Sequence, residues 1–138
     1  MGIQAYLVFN GNAGEAIAFY ETVFESTAKV MTFGQAPGNP DQPMPEEVKN
    51  RVIHGDLPVA GTSILFSDTF PGMPYAVGNN VTVMLAHEDG DVITKYFEAL
   101  AVGGRVNMPL QETFFSAKYG QVTDKFGVVW QLNNLKTH

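Results

Sequence analysis

Along the 138-residue chain, apolar positions change their period in a set order, and that order occurs twice. Residues 4–9 mix aromatic and branched side chains in the manner of a strand. Asn12 then stands at a helix start, with Glu15 three positions on to complete a capping box. Ala13, Ile17, Tyr20 and Phe24 follow on one stripe, flanked by Ala16 and Val23, which predicts an amphipathic helix. Residues 27–34 suit a second strand. The four prolines of residues 35–47 (QAPGNPDQPMPEE) predict a loop, and that loop could act as a lid. Residues 51–57 and 62–68 predict a hairpin turning at 58–61, and a second loop, TFPGMPYAVGN, ends the half.

The second half repeats the order. Residues 80–86 predict a strand, and residues 91–101 a helix with Val92, Ile93, Tyr96, Phe97 and Leu100 on its apolar face. Gly103 and Gly104 stop that helix. Residues 105–108, 114–123 and 128–133 supply three more strands. The chain therefore reads as β-α-β-β-β twice, although identity between the halves is low. We place module 1 at about residues 1–70 and module 2 at about 79–135 of a single domain spanning 1–138. In such a module the helix covers one face of a curved sheet, and the inner faces line a shared hollow suited to a small molecule.

Composition narrows the partners. Apolar residues make up 45% of the chain, enough to bury a core without covalent staples. The net charge of −6 argues against nucleic acid and against an anionic membrane surface. Without cysteine there is no disulfide, thiolate metal site or cysteine nucleophile. The opening MGIQAYLVFNG has no basic stretch followed by a long apolar segment, so we expect no signal peptide and a cytoplasmic location. No nucleophile elbow, P-loop or GxGxxG fingerprint is present.

Three stretches carry a family resemblance: YLVFNGNAGEAIAFYETVF, VIHGDLPVAGTSILFSD and GGRVNMPLQETFFSAKYGQVTDKFGVVWQLN. Together they resemble the PhnB-like branch of the vicinal oxygen chelate superfamily, which includes glyoxalase, fosfomycin and bleomycin resistance proteins, and extradiol dioxygenases. The resemblance covers nearly the whole chain. It implies an α+β fold, with two βαβββ modules forming a cupped mixed sheet, and a homodimer. In metal-using members, histidines and glutamates hold one divalent ion and leave two sites for vicinal substrate oxygens. Carried over by position, those ligands fall at Ala5 (Gln4 if the register slips), near Leu65, at Asn80 and at Gln131.

Ala5 and Leu65 cannot bind a metal, and neutral amides are weak ligands for a transition ion. The resemblance therefore implies a vacated metal site and no cofactor. The expected partners are a small-molecule ligand and a second copy of the chain. Gln131 is the leading ligand-binding candidate, an uncharged amide on the strand face opposite Trp130, with Val129 and Asn133. Asn80, His54 and Phe115 complete that set. His54 and Glu112 are candidate acid–base groups, although a core or interface imidazole and a solvent-facing acid are the plainer readings. His87 is read as a surface residue.

The leading expectation is a metal-free binding protein for an apolar or aromatic compound. The alternatives are a metal-dependent lyase, transferase or dioxygenase, its ion held by His54, Glu112 and Gln131, and a stable dimer whose hollow is residual. Relatives of this branch bear a ubiquinone methyltransferase label, but the sequence has no glycine-rich loop for S-adenosylmethionine. Arg51 and Arg105 are the cations available to a phosphonate.

Overall fold

The computed structural model describes residues 2–37 and 43–135. These divide into two compact units, Met1–Ala76 and Val77–His138. The first contains β1 (Tyr6–Phe9), α1 (Ala13–Phe24), β2 (Lys29–Thr32), a 3-10 turn (Phe33–Gln35), α2 (Glu46–Lys49), β3 (Val52–Val59) and β4 (Thr62–Asp68). The second contains β5 (Val83–His87), α3 (Gly90–Ala101), β6 (Arg105–Gln111), β7 (Lys118–Thr123) and β8 (Val129–Asn134). The β-α-β-β-β order is thus present twice.

The two sheets share one topology. Their strand orders are β1-β4-β3-β2 and β5-β8-β7-β6. In each, the first strand pairs parallel with the last, and the remaining pairs are antiparallel. One face of each sheet packs under its own helix. In the first unit Ala16, Ile17, Tyr20 and Phe24 are buried with Leu57, Ile64 and Phe66. In the second, Ile93, Phe97 and Leu100 are buried with Val122, Trp130 and Leu132.

A glycine in the third strand of each unit lets the helix sit close. A Cβ on Gly55 would stand 2.9 Å from the Ile17 side chain, and one on Gly120 would stand 2.8 Å from the Phe97 ring. Pro58 fits inside β3 because β2 pairs no further along it than Asp56, opposite Lys29.

Several boundaries differ from the sequence expectations. The capping box at Asn12 does not form, and its side chain makes no cap hydrogen bond. Asp68, at the end of β4, takes that role. Its Oδ1 accepts from Gly11 N (2.8 Å) and Ala13 N (3.0 Å), and its Oδ2 accepts from Val52 N (2.8 Å). A carboxylate at the positive end of a helix is a stronger acceptor than a neutral amide, and this one also ties β3 to β4.

The strand expected over 27–34 narrows to β2 and gives way to the 3-10 turn. The short α2 begins within the loop expected at 35–47 and runs on to Lys49, and residues 38–42 of that loop lie outside the described part. Phe114 and Phe115 stand in the bend before β7 rather than in the strand itself. Among the described residues, no helix is long and apolar enough to cross a membrane.

Candidate functional site

The face of the second sheet turned away from α3 carries a connected line of polar side chains. Strand alternation puts Gln131 and Asn133 of β8 on this face, because Trp130 and Leu132 fill the other. Across the antiparallel pair, Tyr119 lies opposite Asn133 and Gln121 opposite Gln131. On the parallel side, Met84 is the partner of Gln131 and Ala86 of Asn133.

The line runs across β7 and β8 to the approach to β5. Gln121 Nε2 donates to the Tyr119 hydroxyl (3.1 Å), which donates to Gln131 Oε1 (2.5 Å). Gln131 Nε2 in turn donates to Thr82 Oγ1 (2.8 Å), just before β5. Tyr119 is 8% exposed, so its hydroxyl is paired largely out of water, where an unpaired one would be costly. Beside it, the Phe115 ring meets Tyr119 edge-on at 5.1 Å, and Phe114 meets Phe115 edge-on at 5.1 Å. Phe114 is 95% exposed, so an aromatic surface stands next to the polar line with little covering it.

Asn133 completes the face and differs from its neighbours. Its Oδ1 is buried and has no hydrogen-bond partner. At the far corner, Arg105 Nε donates to Asn107 Oδ1 (3.0 Å), and Asn107 Nδ2 donates to Thr123 Oγ1 (2.8 Å). Arg105 is exposed, so the interior of the face contains only neutral groups.

The sequence candidates separate between the two units. Gln131 and Phe115 fall on or beside this face. Asn80 does not: β5 opens at Val83 rather than at 80, leaving Asn80 exposed on the approach, and Thr82 reaches Gln131 instead. His54 belongs to the first unit. It lies exposed on the face of β3 away from α1, level with Met31 of β2, and its ring is 6.3 Å from that of Tyr6.

Glu112 is exposed just past β6, on the rim of a groove of about 500 Å³ lined also by Phe97, Leu110 and Lys118. His87 ends β5, where its Nδ1 accepts from Asp89 N (2.9 Å). Arg51 is committed internally, its Nη1 donating to Thr69 O (2.8 Å) and Asn10 Oδ1 (3.3 Å).

The metal positions implied by the resemblance hold no ligand set. Ala5 precedes β1, and the β1 residue level with Leu65 is Tyr6. Gln131 Oε1 already accepts the Tyr119 hydroxyl. Among the described residues, no three His, Asp or Glu side chains group so as to hold a metal ion. These residues do not fit a divalent ion of the superfamily type, which needs charged or imidazole donors.

Gln121, Thr82 and Asn133 were not singled out as site residues from sequence. The signal for Gln121 was strand pairing, which places it opposite Gln131. The signal for Asn133 was its two-residue spacing from Gln131. Thr82 left no sequence signal, because the start of β5 decides its place.

The sequence matches the family described as 3-demethylubiquinone-9 3-methyltransferase over residues 1–133. The Escherichia coli protein YjdN is 32% identical over 143 residues, a match covering 99% of this chain and 97% of YjdN. Among solved structures, PA1353 from Pseudomonas aeruginosa superposes with a TM-score of 0.83 at 35% identity, covering 96% of each chain. The PhnB protein of Bacillus cereus gives 0.72 at 27% identity, covering 96% of this chain and 98% of its own. The chain belongs to this PhnB-like family, a branch of the vicinal oxygen chelate superfamily with the glyoxalase/bleomycin resistance-like fold.

Proposed function

We propose that the protein binds a small organic molecule, without a metal, on the face of the second sheet around Gln131. The hydrogen bond from Tyr119 to Gln131 carries this reading, because it fixes the amide and engages the oxygen that a metal would need. With Gln121 and Thr82 holding the other ends, the amide is pre-organised to orient a ligand. Phe114 and Phe115 offer it an apolar wall.

Methyl transfer is not carried over from the family's description. The first strand-to-helix junction does contain glycines, Gly11 in the turn and Gly14 in the first turn of α1, and such a junction can cradle an acidic cofactor group. Here the amides of Gly11 and Ala13 already bind the Asp68 carboxylate, so the chain supplies its own anion.

The test is a melting-temperature screen of organic compounds in the presence of EDTA, on the wild type and on Gln131→Leu. Stabilising compounds that keep their effect in EDTA and lose it in the variant are expected. Stabilisation that needs nickel, zinc or manganese would overturn the proposal and return a metal-dependent enzyme to first place.

A further inference from the structure

Building on the binding face proposed above, we infer that its ligand is a neutral molecule with a hydrogen-bond donor, such as a phenolic hydroxyl, which it gives to Asn133 Oδ1. Two observations carry this, one on charge and one on hydrogen bonding.

The interior of the face is uncharged. Its side chains are Met84, Ala86, Tyr119, Gln121, Gln131 and Asn133. A carboxylate or phosphonate held there would lose water and find no cation, which disfavours the charged form strongly. Of the two Lys and Arg side chains on these strands, Lys118 turns to α3, donating to Gly90 O and Thr94 Oγ1, and Arg105 is exposed at the far corner. It lies level with Thr123, two positions along β7 from Gln121, and is bonded to Asn107. An anion reaching Arg105 would not at the same time cover Asn133, which lies level with Tyr119 at the other end of the pair.

The second observation is the unmet acceptor. The Gln131 oxygen and the Tyr119 and Thr82 hydroxyls each have a partner, whereas Asn133 Oδ1 is buried with none. Buried acceptors are nearly always paired, so this one is a place for a donor brought from outside. Asn133 is flanked by Tyr119 on one strand and Ala86 on the other. Ala86 is small and exposed, and the Phe115 ring stands against Tyr119. A flat ring could lie against Phe115 and direct its donor to Asn133.

The experiment uses three probes of similar size: phenol, anisole and benzoate. Each is titrated into ¹⁵N-labelled protein while the side-chain amide signals of Asn133, Gln131 and Gln121 are followed. Phenol is expected to move the Asn133 signal and to bind about five- to tenfold more tightly than anisole, the worth of one net hydrogen bond. Benzoate is expected to bind more weakly than phenol. In Asn133→Val the phenol advantage over anisole should vanish.

Equal binding of phenol and anisole to the wild type, or tighter binding of benzoate, would overturn the inference and leave binding at Gln131 standing. If none of the three moves any of these amide signals, the inference fails too. The compound screen on Gln131→Leu then decides separately whether the face binds anything. If Asn133→Val does not fold, the comparison of phenol with anisole on the wild type still decides.

Discussion

The Tyr119 hydroxyl stands 2.5 Å from Oε1 of Gln131, so two side chains on neighbouring strands act as one polar unit. That contact fixes the orientation of an amide at the position to which the family resemblance assigns a metal ligand. It also explains how a polar residue is tolerated at the centre of β8: its oxygen and nitrogen both have partners.

Tyr119→Phe removes the hydroxyl and leaves two groups without their partner, Gln131 Oε1 and Gln121 Nε2. We expect a loss of about 1–3 kcal/mol in stability, the usual cost of stranding a buried polar group. Urea unfolding measures it, and an unchanged midpoint would show that the line is not a structural unit.

Asp68→Asn tests the carboxylate that replaced the expected capping box. The carboxylate serves Gly11 and Ala13 through one oxygen and Val52 through the other. An amide keeps one acceptor and turns a donor toward the remaining N–H. The variant should be about 2 kcal/mol less stable than wild type, whereas Asn12→Ala should cost little, since its side chain caps nothing. Chemical denaturation of both variants checks the order, and a larger loss for Asn12→Ala would contradict it.

How far the fold was legible follows from these residues. Periodicity revealed the two long helices, α1 and α3, because Ile17, Tyr20 and Phe24, and again Ile93 and Leu100, recur at helical spacing and are buried. It revealed the inward and outward sides of β8 from the alternation of Trp130 with Gln131. It could not reveal that Asp68 would out-compete Asn12, since those residues meet only once β4 has paired beside β1. Nor could it place Thr82 against Gln131, because strand ends are set by pairing and not by the residue types at the boundary. Asn80 was placed by carrying a family position onto a strand expected to open at 80, and the strand opens at Val83. The orphaned oxygen of Asn133 is a property of burial in three dimensions and has no sequence signature.

Gly120→Ala probes the close packing of α3 on β7. The added methyl would lie 2.8 Å from Phe97 and 3.0 Å from the carbonyl of Met108. The backbone contact cannot move as a side chain can, so we expect a loss of about 1–3 kcal/mol. Thermal unfolding reads it, and a variant as stable as wild type would mean that the helix rides higher on the sheet.

Tyr75 gives a pH signature. Its hydroxyl donates to Val8 O (3.1 Å), and its pKa is raised above 10.0, first by burial and then by the negative charge of Asp68. The folded state thus holds this proton after the unfolded state has released it. The contribution to stability is full below pH 10 and is lost as pH rises through the higher folded value. Ultraviolet titration should show phenol absorbance that develops late, and Tyr75→Phe should reduce it. A titration unchanged by that substitution would refute the assignment.

The most direct test follows the side-chain amide signals of Gln131 while manganese(II), and then phenol, is added to protein purified without an affinity tag. The structure predicts that manganese leaves these signals as sharp as those of other amides, and that phenol shifts them with no metal present. Selective broadening at one equivalent of manganese, with a phenol shift that appears only afterwards, would contradict the account and make Gln131 part of a metal site.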